Sequence, residues 1–221
     1  MKPFDYLLCQ MELEGIQRVS SDLIIRSSPD ADELPLVLVA RTSDGESLMC
    51  FDASIPAAIR VMLQNELSRA NGTETAINIF EGSGLHVEAS HFKTHVFPDG
   101  VEPVNLEAVK CFPKDDPRIV DFGFHGLADK VYAIEYDGMI LSACVSSRQN
   151  SKSAESWVFT HPDHRRKGLA QKVVTVWSGS IKAEGLIPFY SNNMENTNSA
   201  FLAKRLNLVG VFEETVIEKI P

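Results

Sequence analysis

Three adjacent cations precede a glycine at the point of this sequence that is most suggestive of chemistry. The segment Arg165 to Ala170 reads RRKGLA and lies between an apolar run ending at Thr160 and a stretch with helical periodicity. The first turn of a helix leaves its backbone N–H groups unpaired and carries a partial positive charge. Anions bind at such a turn, and Gly168 would let phosphate oxygens approach the main chain without a Cβ in the way. The segment therefore predicts a pyrophosphate-binding site.

Two carboxylates, Glu155 and Glu135, are candidates for a general base. Glu155 starts the apolar run that leads into the cationic segment, and a glutamate there could accept a proton from a substrate. A charge exposed at the end of a strand is an equally good interpretation of Glu155. Glu135, in an earlier apolar run, is the weaker candidate. Cys144 lies inside another apolar run, where burial without an activating neighbour leaves a thiol inert.

The histidines do not form a recognisable metal site. His161 and His164 precede the cationic segment and could titrate near neutral pH, although a position facing an anion is the simpler interpretation. His91 and His95 are four residues apart, a spacing that allows metal binding on a helix, but their neighbours favour a strand. Glu88 is the only obvious third ligand nearby. We therefore predict no metal.

Composition excludes several classes of protein. The 221 residues are 44% hydrophobic and 23% charged, which is typical of one large globular domain or two small ones. The net charge of −9 argues against nucleic-acid binding and favours a cationic partner such as an amine or a basic peptide. No apolar run approaches the roughly 20 residues that span a bilayer, and no signal peptide is recognisable. The 4 scattered cysteines indicate reduced thiols and a cytoplasmic location.

The second half of the chain shows the clearer pattern of elements. Two apolar runs around Asp137-Gly138 predict a β-hairpin, because that dipeptide suits the tight turn. Apolar residues at helical spacing from Leu169 predict an amphipathic helix closed by Gly185. The predicted strands are 131–136, 139–145, 155–160, 187–190 and 209–220, and a second helix covers 196–206. This order predicts a mixed sheet covered by helices, an α/β (α+β) fold.

The first half is less regular. A proline at position 56 starts a predicted helix over 57–67, whose inward-facing residues would be Ala58, Val61, Met62 and Leu67. Strands are predicted over 34–40, 76–80 and 85–87. The stretch 112–117 carries two prolines and three charges and is predicted to be a linker. The chain is therefore divided into residues 1–115 and 116–221.

These features together resemble the GNAT superfamily of N-acetyltransferases. Its signature at a strand-to-helix turn is [QR]-x-x-G-x-[GA], and Arg165, Gly168 and Ala170 occupy the three defined positions. Its next helix begins N-x-x-[AS], as do residues 196–199 here. The chain is particularly similar to a branch with Ala-Glu on the central strand and a P-L-Y-S segment after the long helix. The corresponding residues are Ala154-Glu155 and Pro188-Phe189-Tyr190-Ser191, within a resemblance that spans about residues 130–210.

The resemblance implies a mixed, mostly antiparallel central sheet flanked by helices, with acetyl-CoA as co-substrate. The pyrophosphate would be held by Arg165, Arg166, Lys167, Gly168, Leu169 and Ala170. The main chain of Trp157, Val158 and Phe159 would pair with the pantetheine arm as an added strand would, while their side chains pack in the core. Asn196 and Ser199 would contact the cofactor from the next helix. Residues 116–221 would be the acetyl-CoA-binding core, and 1–115 an α/β region that shapes or covers the acceptor site.

Enzymes of this superfamily transfer the acetyl group by direct attack of an amine on the thioester. Because an alkylammonium has a pKa of about 10.4, a base must remove a proton first. Glu155 is the leading base, although its register is one residue from the expected one unless a bulge restores its direction. The N–H of Val158 would stabilise the developing oxyanion. The tyrosine that protonates the leaving thiolate in many relatives corresponds to Ala203, which leaves Tyr190 and Ser191 as the nearest substitutes.

Three functions remain open at this point. The preferred one is an N-acetyltransferase for a primary amine of a small molecule, acting in a ternary complex with acetyl-CoA. The alternatives are a protein or peptide N-acetyltransferase and a non-catalytic sensor of acyl-CoA. The expected partners are acetyl-CoA and an amine acceptor, without nucleic acid or membrane, and a homodimer is an open alternative.

Overall fold

The structure is a computed structural model that describes residues 1–27, 34–69, 71–98, 107–124 and 128–220. Two units are distinguished by their internal contacts. The first unit consists of Met1–Lys93, Asn193–Glu195 and Val211–Pro221, and the second of Thr94–Asn192 and Asn196–Gly210. The division into residues 1–115 and 116–221 by function, as acceptor-site and cofactor-binding regions, stays a prediction.

The helices and strands alternate irregularly along the chain. The helices are α1 (Pro3–Leu13), α2 (Ala57–Leu67), α3 (Gly72–Gly82), α4 (Pro117–Phe122), α5 (Leu169–Ala183) and α6 (Thr197–Arg205). The strands are β1 (Ile16–Arg18), β2 (Leu23–Arg26), β3 (Val37–Thr42), β4 (Ser47–Asp52), β5 (Val87–Val96), β6 (Lys110–Pro113), β7 (Lys130–Tyr136), β8 (Met139–Gln149), β9 (Ser153–Thr160), β10 (Ile187–Asn193) and β11 (Val209–Lys219).

In the first unit the strand order is β1-β2-β4-β3-β11, followed by the first part of β5. β2 and β4 pair in parallel, whereas the pairs β1–β2, β3–β4 and β3–β11 are antiparallel. Helices α2 and α3 supply Leu63, Ala76 and Phe80 to a core that includes Phe51 and Ile217 of the sheet. Burial of these apolar side chains is what holds the helices to the strands.

In the second unit the order is β10-β9-β8-β7-β6, with the end of β5 beside β10. β9 and β10 pair in parallel, whereas the pairs β6–β7, β7–β8 and β8–β9 are antiparallel. Helix α5 covers one face, where Trp177 is fully buried and its Nε1–H donates to Ser146 Oγ at 3.0 Å. Helix α4 covers the other face through Ile119, packed near Ala143 and Val145. The predicted fold class, a mixed and mostly antiparallel sheet flanked by helices, is confirmed.

The sequence predictions for the second half agree with these elements. The hairpin β7–β8, strands β9, β10 and β11, and helices α5 and α6 are all confirmed within a few residues. Gly185 follows α5 in the left-handed conformation, with φ +78°, as the helix-closing role requires.

Three predictions for the first half are wrong. Helix α2 has the predicted bounds, but Val61 and Met62 are 59% and 49% exposed and Leu63 is the buried residue, so its inward face was misassigned. Residues 76–80 lie in α3 and not in a strand, because a short apolar run fits either element. The proposed linker 112–117 is instead the end of β6, a turn, and the start of α4, where the Asp116 side chain caps the helix.

A glycine at the start of α3 sets how closely α3 approaches the end of α2. A Cβ on Gly72 would lie 1.9 Å from the backbone oxygen of Glu66, whereas a Cβ on Gly82 in the same helix would meet nothing within 4 Å. We expect Gly72→Ala to lower the free energy of unfolding by about 1–3 kcal/mol, since backbone must move. Gly82→Ala is the matched control and should leave stability unchanged or slightly raised. Urea unfolding of both variants measures this, and equal stabilities would contradict the close approach.

Candidate active site

A cleft opens in the second unit where two parallel strands stop pairing. Strands β9 and β10 are in register over three residue pairs, the last being Glu155 with Phe189. Just beyond this point the Ser156 hydroxyl donates to the Phe189 carbonyl at 3.3 Å. Both strands continue, and a cleft of about 760 Å³ lies against Val158 to Thr160 on one side and Tyr190 on the other. The edge of β9 that faces β10 is therefore without a partner strand from Ser156 onward.

The start of α5 forms the second wall of the cleft. Gly168 precedes the helix with φ +76°, and Arg166 also has a left-handed φ of +60°. No side chain caps the helix, and the first turn closes with the Lys172 N–H donating to the Gly168 carbonyl at 3.3 Å. Left-handed residues next to a helix start turn successive N–H groups toward one point, which forms an anion-binding concavity. This backbone conformation suits an anion, and the pyrophosphate site itself stays a prediction.

The three cationic residues before Gly168 do not all line the cleft. Arg165 and Arg166 line the cleft, and the Nε–H of Arg165 donates to the Thr160 carbonyl at 3.2 Å. The Lys167 ammonium donates to the Asp163 carbonyl at 3.2 Å, and Lys167 is not a lining residue. His164 lines the cleft and His161 is not among its lining residues, and a role of His164 in facing an anion stays a prediction.

Helix α6 supplies the remaining wall. The Asn196 side chain caps the helix by accepting a hydrogen bond from the Ser199 N–H at 3.1 Å, and both residues line the cleft. Sequence reasoning missed Phe201 and Arg205, which also line it, and Phe201 is 60% exposed. Their spacing from Asn198, at three- and four-residue steps, is one helix face and was the available signal.

Tyr190 lies at the base of the cleft with 2% of its surface exposed. Its hydroxyl donates to the Ser199 carbonyl at 3.4 Å. Burial raises the pKa of Tyr190 to about 12. A free thiol has a pKa of about 8.5, so transfer of the tyrosine proton to a thiolate would be uphill by roughly 5 kcal/mol. The geometry leaves Tyr190 able to donate a hydrogen bond but poorly matched to give up its proton.

The residue that corresponds to the tyrosine of many GNAT enzymes is Ala203, and Ala203 does not line the cleft. Ala203 is 3% exposed and packs in the core between α5 and the sheet. Cys144 is fully buried in the same core, and burial raises its thiol pKa well above the usual value. The prediction that Cys144 is inert packing agrees with this burial.

Glu155 is buried on the face of β9 opposite α5. Its carboxylate lies 2.9 Å from Arg148 Nη1 and it does not line the cleft. A bulge on β9 would have been needed to change the direction of the Glu155 side chain. The bulge lies on β8 instead, where Ser147 is the extra residue between the pairs Ser146–Ser156 and Arg148–Glu155. Because β9 itself has no extra residue, Glu155 shares its face with Trp157. The role of Glu155 as a base stays a prediction.

The side chains of Trp157 and Phe159 do not pack in the core. They are 43% and 38% exposed on the face opposite α5, whereas Val158 packs toward α5. Trp157 stacks on Phe124 with ring centroids 4.3 Å apart, and Phe159 meets Phe122 edge-on at 5.4 Å. Of these three residues, Val158 and Phe159 line the cleft and Trp157 does not.

The weaker candidates lie outside the cleft. Glu135 accepts hydrogen bonds from the Gly138 N–H at 2.7 Å and from Lys110 at 3.1 Å, and these contacts lower its carboxyl pKa. His91 contacts Thr215 in the first unit, and His95 contacts the Tyr190 carbonyl in the second. Within the described ranges, no three His, Cys, Asp or Glu side chains are grouped so as to hold a metal ion. Over the same residues, no helix has the length and apolar character needed to cross a membrane.

Comparison with known proteins gives the same family as the residues do. The model of the GNAT acetyltransferase family matches residues 124–214. A GNAT-family structure from Novosphingobium aromaticivorans is 17% identical, covers 62% of this chain and 69% of its own, and superposes with a TM-score of 0.51. A GCN5-related N-acetyltransferase-like protein from Streptococcus suis is 16% identical, with coverages of 68% and 69% and a TM-score of 0.50.

A Drosophila protein covers 93% of the chain and 73% of its own length, at 12% identity and a TM-score of 0.52. No curated protein sequence matches the chain. At these identities the solved structures support the fold, and the family model supports the assignment of the second half. Residues 124–214 therefore match the GNAT acetyltransferase family.

The environment of Tyr190 can be measured directly. The chain has 4 tyrosines, and absorbance at 295 nm follows their ionisation. We expect one tyrosine to titrate near pH 12, and Tyr190→Phe to remove that step. Because the pKa is raised in the folded state, the stability contributed by this group is complete below pH 10 and is lost as pH rises toward 12. If Tyr190→Phe removed an ordinary step near pH 10, the buried environment would be wrong.

Proposed function

We propose that the protein is an N-acetyltransferase that moves an acetyl group from acetyl-CoA to a primary amine of a small molecule, in a ternary complex. The observation that carries the proposal is the cleft between β9 and β10, which ends at the uncapped start of α5. A GNAT domain with acyl-transfer chemistry supports it.

The residues of the cleft fit acetyl-CoA. Two left-handed residues, Arg166 and Gly168, and an uncapped helix start offer amide N–H groups to a diphosphate, and the cations at Arg165 and Arg166 add charge of the right sign. The unpaired edge of β9 suits the amides of a pantetheine arm, which would hydrogen-bond there as an added strand does. Asn196 and Ser199, together with Arg205, would contact the cofactor from α6.

Acetyl-CoA bound along β9 would bring its thioester close to Val158. The Val158 N–H would then donate a hydrogen bond to the carbonyl oxygen as negative charge develops on it. A backbone donor is already fixed in place before reaction, so it costs little reorganisation when the charge appears.

The acceptor must lose a proton before or during attack. In the proposed reaction the amine nitrogen forms a bond to the carbonyl carbon and gives a proton to Glu155, directly or through water. The carbon–sulfur bond breaks and the sulfur leaves with the electron pair. The ion pair of Glu155 with Arg148 would hold the carboxylate oriented on the side of the sheet opposite α5.

Among the described residues that line the cleft, Tyr190 is the proposed hydrogen-bond donor to the departing thiolate. Tyr190, with its pKa of about 12, would stabilise the sulfur by a hydrogen bond, and the proton would come from solvent. The buried Ala203 is the one observation that favours a second function, a non-catalytic acyl-CoA sensor, because the superfamily's usual acid is missing. A cytoplasmic location and a homodimer remain part of the proposal.

Binding of coenzyme A tests the cofactor site. We expect calorimetry to detect CoA binding, and Gly168→Ala to weaken it about tenfold, because a Cβ would stand where phosphate oxygens approach the main chain. Gly138→Ala is the matched control, since Gly138 has a similar left-handed φ of +80° against +76° and likewise meets nothing within 4 Å. Equal losses in both variants would show that backbone strain, and not the site, causes the effect.

Release of free thiol from acetyl-CoA tests catalysis. With a panel of primary amines, Glu155→Gln should lower kcat by about a hundredfold or more while CoA binding persists, since loss of a general base costs about that much. Glu135→Gln is the control for the competing carboxylate and should change kcat little. Melting temperatures of both variants check that the fold survives loss of the Arg148 contact. Unchanged turnover in Glu155→Gln would remove Glu155 from the mechanism, and tight CoA binding without turnover of any amine would favour the sensor.

A further inference from the structure

The Arg165 side chain is held at the end of β9 by two contacts with residues of that strand. Its Nε–H donates to the Thr160 carbonyl at 3.2 Å, and its guanidinium carbon lies 5.7 Å from the centroid of the Phe159 ring. A guanidinium at this distance from a ring is attracted to the aromatic face. Both Phe159 and Arg165 line the cleft. The strand therefore orients the arginine before any ligand binds.

The two contacts leave the outer end of the Arg165 guanidinium open. An arginine carries five N–H donors, and four of them belong to Nη1 and Nη2. Across the described ranges, no protein atom accepts a hydrogen bond from these four N–H groups of Arg165. Planar N–H pairs of this kind match the oxygens of a phosphate group. The donors that remain free are those that a diphosphate would use.

The neighbouring cations are not held in this way. The Lys167 ammonium donates to the Asp163 carbonyl, and Lys167 does not line the cleft. Arg166 lines the cleft, but its side chain makes no hydrogen bond or ring contact with any of the described residues. An unrestrained side chain loses rotamer freedom when it binds an anion, and this loss weakens binding. Arg165 has lost part of that freedom already.

The Phe159 ring is itself supported by other parts of the second unit. Phe122 meets it edge-on with ring centroids 5.4 Å apart, and Phe122 in turn meets Phe124 at 5.3 Å. Phe124 is buried in the core that α4 forms with the sheet. The main chain is also fixed, because the Ser142 hydroxyl of β8 donates to the Phe159 carbonyl at 3.2 Å. The ring that contacts Arg165 is thus connected to buried residues.

We propose that Phe159 is a positioning residue for the cofactor, whose ring holds the Arg165 guanidinium in the orientation that binds the diphosphate of CoA. This inference rests on the proposed function, because it takes CoA as the occupant of the cleft. The Phe159 side chain acts through Arg165 and does not touch the reacting atoms. The ring and the Thr160 carbonyl together reduce the side-chain freedom that Arg165 loses when the diphosphate binds.

Calorimetric titration with CoA tests the positioning role. Phe159→Leu keeps an apolar side chain on the strand but removes the aromatic face, so Kd should rise about three- to fivefold, the range expected for one exposed cation–π contact. Phe159→Tyr retains the aromatic face and should bind CoA within about twofold of the unmodified protein. Tyr136→Leu, which removes a 72% exposed ring from the β7–β8 hairpin, is the matched control and should leave Kd unchanged.

A double-mutant cycle distinguishes positioning from a merely structural effect. Arg165→Gln removes the cation and should raise Kd about tenfold or more, because charge-assisted hydrogen bonds are lost. In that background Phe159→Leu should have little further effect, since the ring then has no guanidinium to hold. In the Arg166→Gln background Phe159→Leu should keep its full effect, because the Arg166 side chain makes no contact with the ring among the described residues.

The outcomes separate this inference from the proposed function. An unchanged Kd in Phe159→Leu would overturn the positioning role and leave CoA binding standing, as would an equal loss with and without Arg165→Gln. Melting temperatures show whether each variant folds, and Phe159→Met, which also lacks the aromatic face, repeats the cycle if Phe159→Leu is unstable. Failure of the unmodified protein to bind CoA would overturn the proposed function itself.

Discussion

The geometry of the second unit depends on one break in hydrogen bonding, where β9 and β10 stop pairing after Glu155 and Phe189. Each strand in a sheet directs backbone N–H and C=O groups toward both neighbours. β8 continues to pair with β9 as far as Thr160, so only one edge of β9 loses its partner. A sheet tolerates such an unpaired edge where water or a ligand completes it. The break therefore creates an extended main-chain surface in the middle of a sheet, where a strand would otherwise be fully paired.

The segment of β9 from Trp157 to Phe159 contacts three different environments, because successive side chains in a strand point to opposite faces of the sheet. Its free main-chain edge faces the cleft, Val158 points into the core under α5, and Trp157 and Phe159 point to the opposite face. A bulge on β8 changes the register beside Glu155 without altering this alternation on β9. In the proposed function the cofactor binds along the edge of β9 and the acceptor lies near Glu155 on the face opposite α5. Strand geometry alone would bring the two together.

The sequence predicted the second unit well because its signals are local. Gly168 with its neighbouring cations, Asn196 at the start of α6 and the Asp137-Gly138 turn each specify a backbone conformation within a few residues. Outcomes that depend on packing from distant parts of the chain were harder. The exposure of Val61, the helical state of 76–80 and the half-exposed Trp157 are set by which partners reach them, and a single sequence does not reveal these partners.

The candidate site shows the same limit. Residues defined by a motif, such as Arg165 and Ser199, line the cleft, whereas Lys167 turns away and Phe201 carries no motif at all. The alternation of side chains along β9 can be predicted from the sequence, but the position of the β-bulge cannot. The bulge lies at Ser147 on β8, so Glu155 points to the same face of the sheet as Trp157.

The path of the chain through the first unit bears on how that unit is made. Strand β3 pairs with β11 over six residue pairs, from Thr42 with Phe212 to Val37 with Ile217. The ribosome must therefore synthesise roughly 170 further residues after β3 before this pairing can form, and contacts so distant in sequence slow folding. Until β11 is synthesised, β3 lacks this neighbouring strand, although several of the side chains of β3 and β4 are buried in the folded unit. The sheet of the first unit is therefore completed only after β11 has been synthesised.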